Sequence, residues 1–113
     1  MNIQIFGNAK SFDVKKAQRF FKERRIPFQF VDLSKKAMSK GELRSVRQAV
    51  GSYEDMVDFE KQEEAALIRY LASEDEKLEK LAENPGWLKV PIVRNGRKAA
   101  VGCCPANWKA WED

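Results

Sequence analysis

Isoleucines at positions 3 and 5 alternate with Asn2 and Gln4, and Phe6 follows, which is the two-residue period of a β-strand. Gly7-Asn8 interrupts it. From Asp13 the period becomes helical. Val14, Ala17, Phe20 and Phe21 share one face, lysines and arginines take the other, and Ser11 or Asp13 is placed to cap the first turn. Pro27 ends the connection, and Phe28, Phe30 and Asp32 then alternate with Gln29, Val31 and Leu33 as a second strand. A helix between two such strands predicts a parallel β-α-β unit.

The middle of the chain reads as helical. Ser39-Lys40-Gly41-Glu42 is a capping-box pattern, followed by a stripe of Leu43, Val46 and Val50 and by Gly51 as the terminating residue. The spacing predicts another helix over 60–71, with Leu67, Ile68 and Leu71 facing inward. Ser73-Glu74-Asp75-Glu76 opens a third, carrying Leu78 and Leu81, and Asn84-Pro85-Gly86 stops it. Val90-Pro91-Ile92-Val93, Asn95-Gly96 and Ala99-Ala100-Val101 then read as a β-hairpin with a type I′ turn. Pro105 leads a last short helix over 106–111. The order β-α-β, helices, β-β-α predicts an α/β chain with a thioredoxin-like arrangement. One domain spans 1–113, and the helices over about 39–84 form an insertion between its halves.

Composition narrows the chemistry. The chain has 113 residues, two cysteines and no histidine. Absence of histidine removes Ser-His-Asp and Cys-His mechanisms and every histidine-ligated metal site. Two adjacent cysteines, Cys103 and Cys104, make a poor zinc site and no disulfide framework. No signal-peptide pattern or membrane-length apolar run is found, so a cytoplasmic protein with reduced thiols is expected. The net charge of +4 is uneven, with Lys15, Lys16, Arg19, Lys22, Arg24 and Arg25 crowding the first helix. Such a face is ordinarily solvated surface, and only its charge points toward nucleic acid.

Three blocks carry a family resemblance. They are Ile5-Phe6-Gly7-Asn8-Ala9-Lys10-Ser11-Phe12-Asp13; Asn84-Pro85 followed by Val90-Pro91-Ile92-Val93-Arg94-Asn95-Gly96; and Val101-Gly102-Cys103-Cys104-Pro105. Together they resemble the arsenate reductase (ArsC) family, which also contains the Spx-type transcription regulators. The resemblance runs essentially end to end. It implies a thiol-redox protein with glutathione, glutaredoxin or thioredoxin as electron partner and no metal or organic cofactor. The Spx-type relatives imply a second reading, a non-enzymatic module that binds RNA polymerase or another partner.

By the same resemblance the nucleophilic cysteine falls on Ser11, at the head of the first helix, where N–H groups and the dipole would stabilise a thiolate. The Spx-type Cys-x-x-Cys pair reads Ser11-Phe12-Asp13-Val14 here, and the anion-binding arginines of the arsenate reductases are replaced at Val90, in Gly102-Cys103-Cys104-Pro105 and near Met56-Val57-Asp58. Standard arsenate reduction is therefore not expected. Ser11 is either an ordinary N-cap or a replaced nucleophile. Cys103 and Cys104 are either packed small residues or a relocated thiol. Cys104 is the stronger candidate, because it precedes Pro105 at a helix start. Asn8, Lys10 and Phe12 are expected to line the same loop. A cis bond before Pro91 is expected to shape the wall.

Overall fold

The computed structural model describes residues 1–60 and 63–112. Four strands form one sheet in the order β2-β1-β3-β4: β1 Ile3–Gly7, β2 Phe28–Asp32, β3 Ile92–Asn95 and β4 Lys98–Val101. β1 pairs parallel with β2 and antiparallel with β3, and β3 pairs antiparallel with β4. The helices are α1 Phe12–Glu23, α2 Lys40–Val50, α3 Glu74–Glu83 and α4 Pro105–Ala110. Among the described residues, no helix is long and apolar enough to cross a membrane.

The strand alternation divides the core into two layers. Ile3, Ile5 and Val93 bury against Val14, Ala17 and Phe21 of α1 and Trp108 of α4. Phe6 and Ile92 point to the other face, where Leu43 and Val46 of α2 and Leu78 and Leu81 of α3 cover them. The register fits this division, since Ile5 lies opposite Phe30 and Val93, and Phe6 opposite Val31 and Ile92. A two-residue period therefore places α1 and α4 on one face and the insertion on the other.

The predicted caps form. Ser11 caps α1, and Ser39 and Glu42 complete both hydrogen bonds of a capping box on α2. Ser73 caps α3 by accepting from the Glu76 amide. The Val90–Pro91 bond is cis, as the resemblance implied.

Two expectations are corrected. The helix expected over 60–71 is instead a 3-10 helix at Glu63–Tyr70, and Lys61 and Gln62 lie outside the described residues. Three residues per turn put Ala65, Ile68 and Leu71 on one side, where Ala65 and Ile68 are buried and Leu71 packs on the core. Leu67, expected inward, is displaced from that row and is 45% exposed. The hairpin forms, but Asn95 is its last paired residue, opposite Lys98, so the loop is Gly96-Arg97. Gly96 has φ +61, while Arg25 is the one non-glycine with positive φ among the described residues. A positive φ at the first central residue alone is the type II′ pattern, so the turn is not type I′.

Candidate functional site

The site region begins at the turn between β1 and α1. Asn8 folds it: its Oδ1 accepts from the Lys10 amide at 2.9 Å, and its carbonyl accepts from the Ser11 amide at 3.0 Å. Ser11 Oγ accepts from the Val14 amide at 3.4 Å, the N-cap bond of α1. Among the described residues no other side chain hydrogen-bonds this hydroxyl, so nothing is positioned to take its proton. The turn is tied closely to the helix. A Cβ on Gly7 would stand 2.4 Å from Val14 Cγ2, so only glycine admits this approach. Phe12 projects into solvent at 70% exposure, with the Lys16 ammonium 5.3 Å from its ring centre.

The second part is the loop between β4 and α4. Gly102 turns it at φ +89 and donates to the Pro91 carbonyl at 2.8 Å, which fastens the loop to the residue that follows the cis bond. The Lys89 stem lies over it, its Cδ 3.4 Å from where a Cβ on Gly102 would stand. Both thiols are free and half-buried, but their surroundings differ. Cys104 Sγ donates to the Val101 carbonyl at 3.3 Å. Burial pushes its thiol above the ordinary range, Cys103 adds to that, and the Lys89 charge opposes it.

That reverses the expectation that the start of α4 would favour a Cys104 thiolate. α4 has only six residues, and Cys104 stands at its N-cap without a side-chain cap bond. Its sulfur faces a carbonyl, which favours the protonated thiol.

Cys103 opens onto a cavity of about 490 Å³. The first turn of α1 contributes Asp13 to the wall, the approach to β3 contributes Lys89 and Val90, and the insertion contributes residues 57–60 and Arg69. The insertion is held there by short antiparallel pairing. Val57 bridges Leu88, the Asp58 amide donates to the Trp87 carbonyl at 2.9 Å, and the Lys89 amide donates to the Met56 carbonyl at 2.8 Å. Arg69 stacks on Phe59 with its guanidinium carbon 3.8 Å from the ring centre.

Among the described residues, the cavity wall holds two cations, Lys89 and Arg69, and three carboxylates, Asp13, Asp58 and Glu60. Among the described residues, no group of three His, Cys, Asp or Glu side chains could hold a metal ion.

Of the residues singled out from sequence, Cys103 lines this cavity; Ser11, Lys10, Phe12, Pro91 and Cys104 do not. Asn8 lines a neighbouring cavity of about 540 Å³, which shares Val90 with the first. Pro91 is buried beneath the cysteine loop. Arg94 is turned to α2, 3.6 Å from a Glu42 carboxylate oxygen. Sequence reasoning missed Arg69 and Asp13. Arg69 reaches the cavity through the 3-10 segment.

No family model matches this sequence, and neither does any curated protein. Solved structures do. An arsenate reductase from Vibrio cholerae superposes with a TM-score of 0.81 at 22% identity, covering 95% of this chain and 94% of that one. An ArsC family related protein from Bacteroides fragilis gives 0.84 at 17% identity, covering 97% of each. An arsenate reductase related protein from Brucella melitensis gives 0.67 at 20% identity, covering 100% of this chain and 96% of that one. At such identities the likeness is one of fold, and the chain has the thioredoxin-like fold shared by these arsenate reductase-related proteins.

Proposed function

We propose that this chain is a monothiol redox protein in which Cys103 exchanges with glutathione disulfide or with the disulfide of a glutaredoxin- or thioredoxin-type partner. The observation that carries this reading is the placement of Cys103. Its half-exposed thiol opens onto the cavity bounded by Asp13 at the head of α1 and by Lys89, while Cys104 is committed to the Val101 carbonyl. In the exchange, the Cys103 thiolate attacks one sulfur of the disulfide. A new S–S bond forms to Cys103 and the original one breaks. The departing thiolate takes up the proton that Cys103 released. The attacked disulfide is reduced, and Cys103 is oxidised to the mixed disulfide.

Ser11 plays no chemical part in this reading, because its oxygen serves the N-cap. The test is intact-mass analysis of Cys103→Ser and Cys104→Ser variants after incubation with glutathione disulfide. The Cys104→Ser variant is expected to gain one glutathione adduct quickly and the Cys103→Ser variant slowly. Equal rates, or faster adduct formation at Cys104, would overturn the assignment.

A further inference from the structure

We propose that the groove between α1 and α4 selects acidic partners for Cys103, so that its preferred disulfides sit in peptide segments with carboxylates beside the exchanging sulfur. This rests on Cys103 as the exchanging residue.

Among the described residues, Cys103 is the one that lines both the cavity described above and a second opening of about 240 Å³ between the two helices. The second opening has a different character. Phe20 and Trp108 form an apolar floor, their ring centres 5.3 Å apart in an edge-on arrangement. Lys16, Arg19 and Arg24 stand along the α1 side with one carboxylate, Glu23.

The cations are not equally available. Arg24 stacks on Phe20 at 3.7 Å and pairs with Glu112 at 3.4 Å. Lys16 and Arg19 are exposed, and among the described residues neither has a carboxylate within ion-pair distance. The same holds for Lys15, Lys22 and Arg25. Residues 12–25 hold six cations and two carboxylates, an excess equal to the net charge of +4 for the whole chain. Elsewhere in the sequence the signs balance. Of the six cations, Lys16, Arg19 and Arg24 line this groove, while Lys22 and Arg25 line a separate opening with Ile26, Pro27 and Phe28.

A thiol at the end of a groove with an unpaired positive wall has a built-in preference. Exposed charges of one sign beside a cleft raise the local concentration of the opposite sign and the association rate by tenfold or more at low salt. Lys16 and Arg19 stand three residues apart, about 4.5 Å along the α1 axis at 1.5 Å per residue. Carboxylates on adjacent or alternate residues of an extended segment, at about 3.3 Å per residue, span that interval. An acidic disulfide-bearing segment fits each of these features, and a basic one opposes the charge.

The test uses the Cys104→Ser protein and three cysteine peptides activated as mixed disulfides with thiopyridine, with Glu-, Ser- or Lys-rich flanks. Release of the pyridinethione reports the rate. The acidic peptide is expected to react about tenfold faster than the basic one at low salt. That ratio should collapse in about 0.5 M salt, where screening acts within a few ångströms. A Lys16→Glu/Arg19→Glu variant should reverse the order, with its circular dichroism unchanged because both residues are exposed. Equal rates for the three peptides would overturn the docking proposal and leave Cys103 exchange standing. Failure of all three to react at Cys103 would overturn the exchange reading and the docking proposal with it.

Discussion

The Cys104 sulfur lies 3.3 Å from the Val101 carbonyl oxygen and donates a hydrogen bond to it. Burial, the neighbouring Cys103 and this bond all favour the protonated thiol, and Lys89 alone opposes them. Cys104 should therefore titrate above an ordinary thiol in the Cys103→Ser variant, read by alkylation rate against pH. Lys89→Met should move that titration further up. The sign for stability follows. The folded state holds this proton more tightly than the unfolded chain, so the contribution is complete below the ordinary thiol range and is lost as pH rises through the raised value. Urea midpoints should fall more steeply with alkaline pH in the Cys103→Ser protein than in Cys103→Ser/Cys104→Ala.

Gly7 and Val14 form the joint between β1 and α1. A Cβ at position 7 would meet Val14 Cγ2 at 2.4 Å. Gly7→Ala is expected to destabilise the fold by about 1–3 kcal/mol through overpacking. Val14→Ala makes room for the added methyl, so the double variant should be more stable than the sum of the two single losses predicts. A double-mutant cycle from urea unfolding measures the coupling. Strict additivity would contradict the contact.

At Ser11 the account separates stability from chemistry. Ser11→Ala removes the oxygen that accepts from the Val14 amide, at a cost of about 1 kcal/mol. It should leave the rate of Cys103 exchange unchanged. A loss of exchange greater than a few-fold, in protein still folded by circular dichroism, would place Ser11 in the chemistry.

Trp108 is 1% exposed and packs edge-on against Phe20 and at 5.8 Å from Phe21. Trp108→Ala is expected to cost about 3–5 kcal/mol, as large-to-small core changes of aromatics do. Thermal or urea unfolding checks this, and a loss below about 1 kcal/mol would show that α4 contributes little to the core.

Much of the architecture was legible because its causes are local. The two-residue period of Ile3 and Ile5 and the helical stripe of Val14, Ala17 and Phe21 each name a buried face. Ser39 and Glu42 name a helix start. The failures arise where local pattern competes with tertiary context. Leu67 fits an inward helical face at 3.6 residues per turn, but the segment winds at three. Asn95-Gly96 signals the hairpin, yet pairing of Asn95 with Lys98 moves the turn one residue along.

The candidate site was less legible still. Position near a helix start ranked Cys104 above Cys103, because sequence does not show the Val101 carbonyl or the burial around that sulfur. Asp13, Arg69 and Cys103 lie in three distant parts of the chain. Only the pairing of 56–58 with 87–89 and the docking of the cysteine loop on Pro91 bring them around one cavity.

The central claim is that Cys103, and not Cys104, is the exchanging sulfur. The most direct measurement is competitive alkylation of the unmodified protein with a limiting amount of iodoacetamide, followed by peptide mapping of the two adjacent sites. The account predicts label at Cys103 in at least tenfold excess over Cys104 near neutral pH, with the excess abolished by prior incubation with glutathione disulfide. Equal labelling, or label concentrated at Cys104, would contradict it.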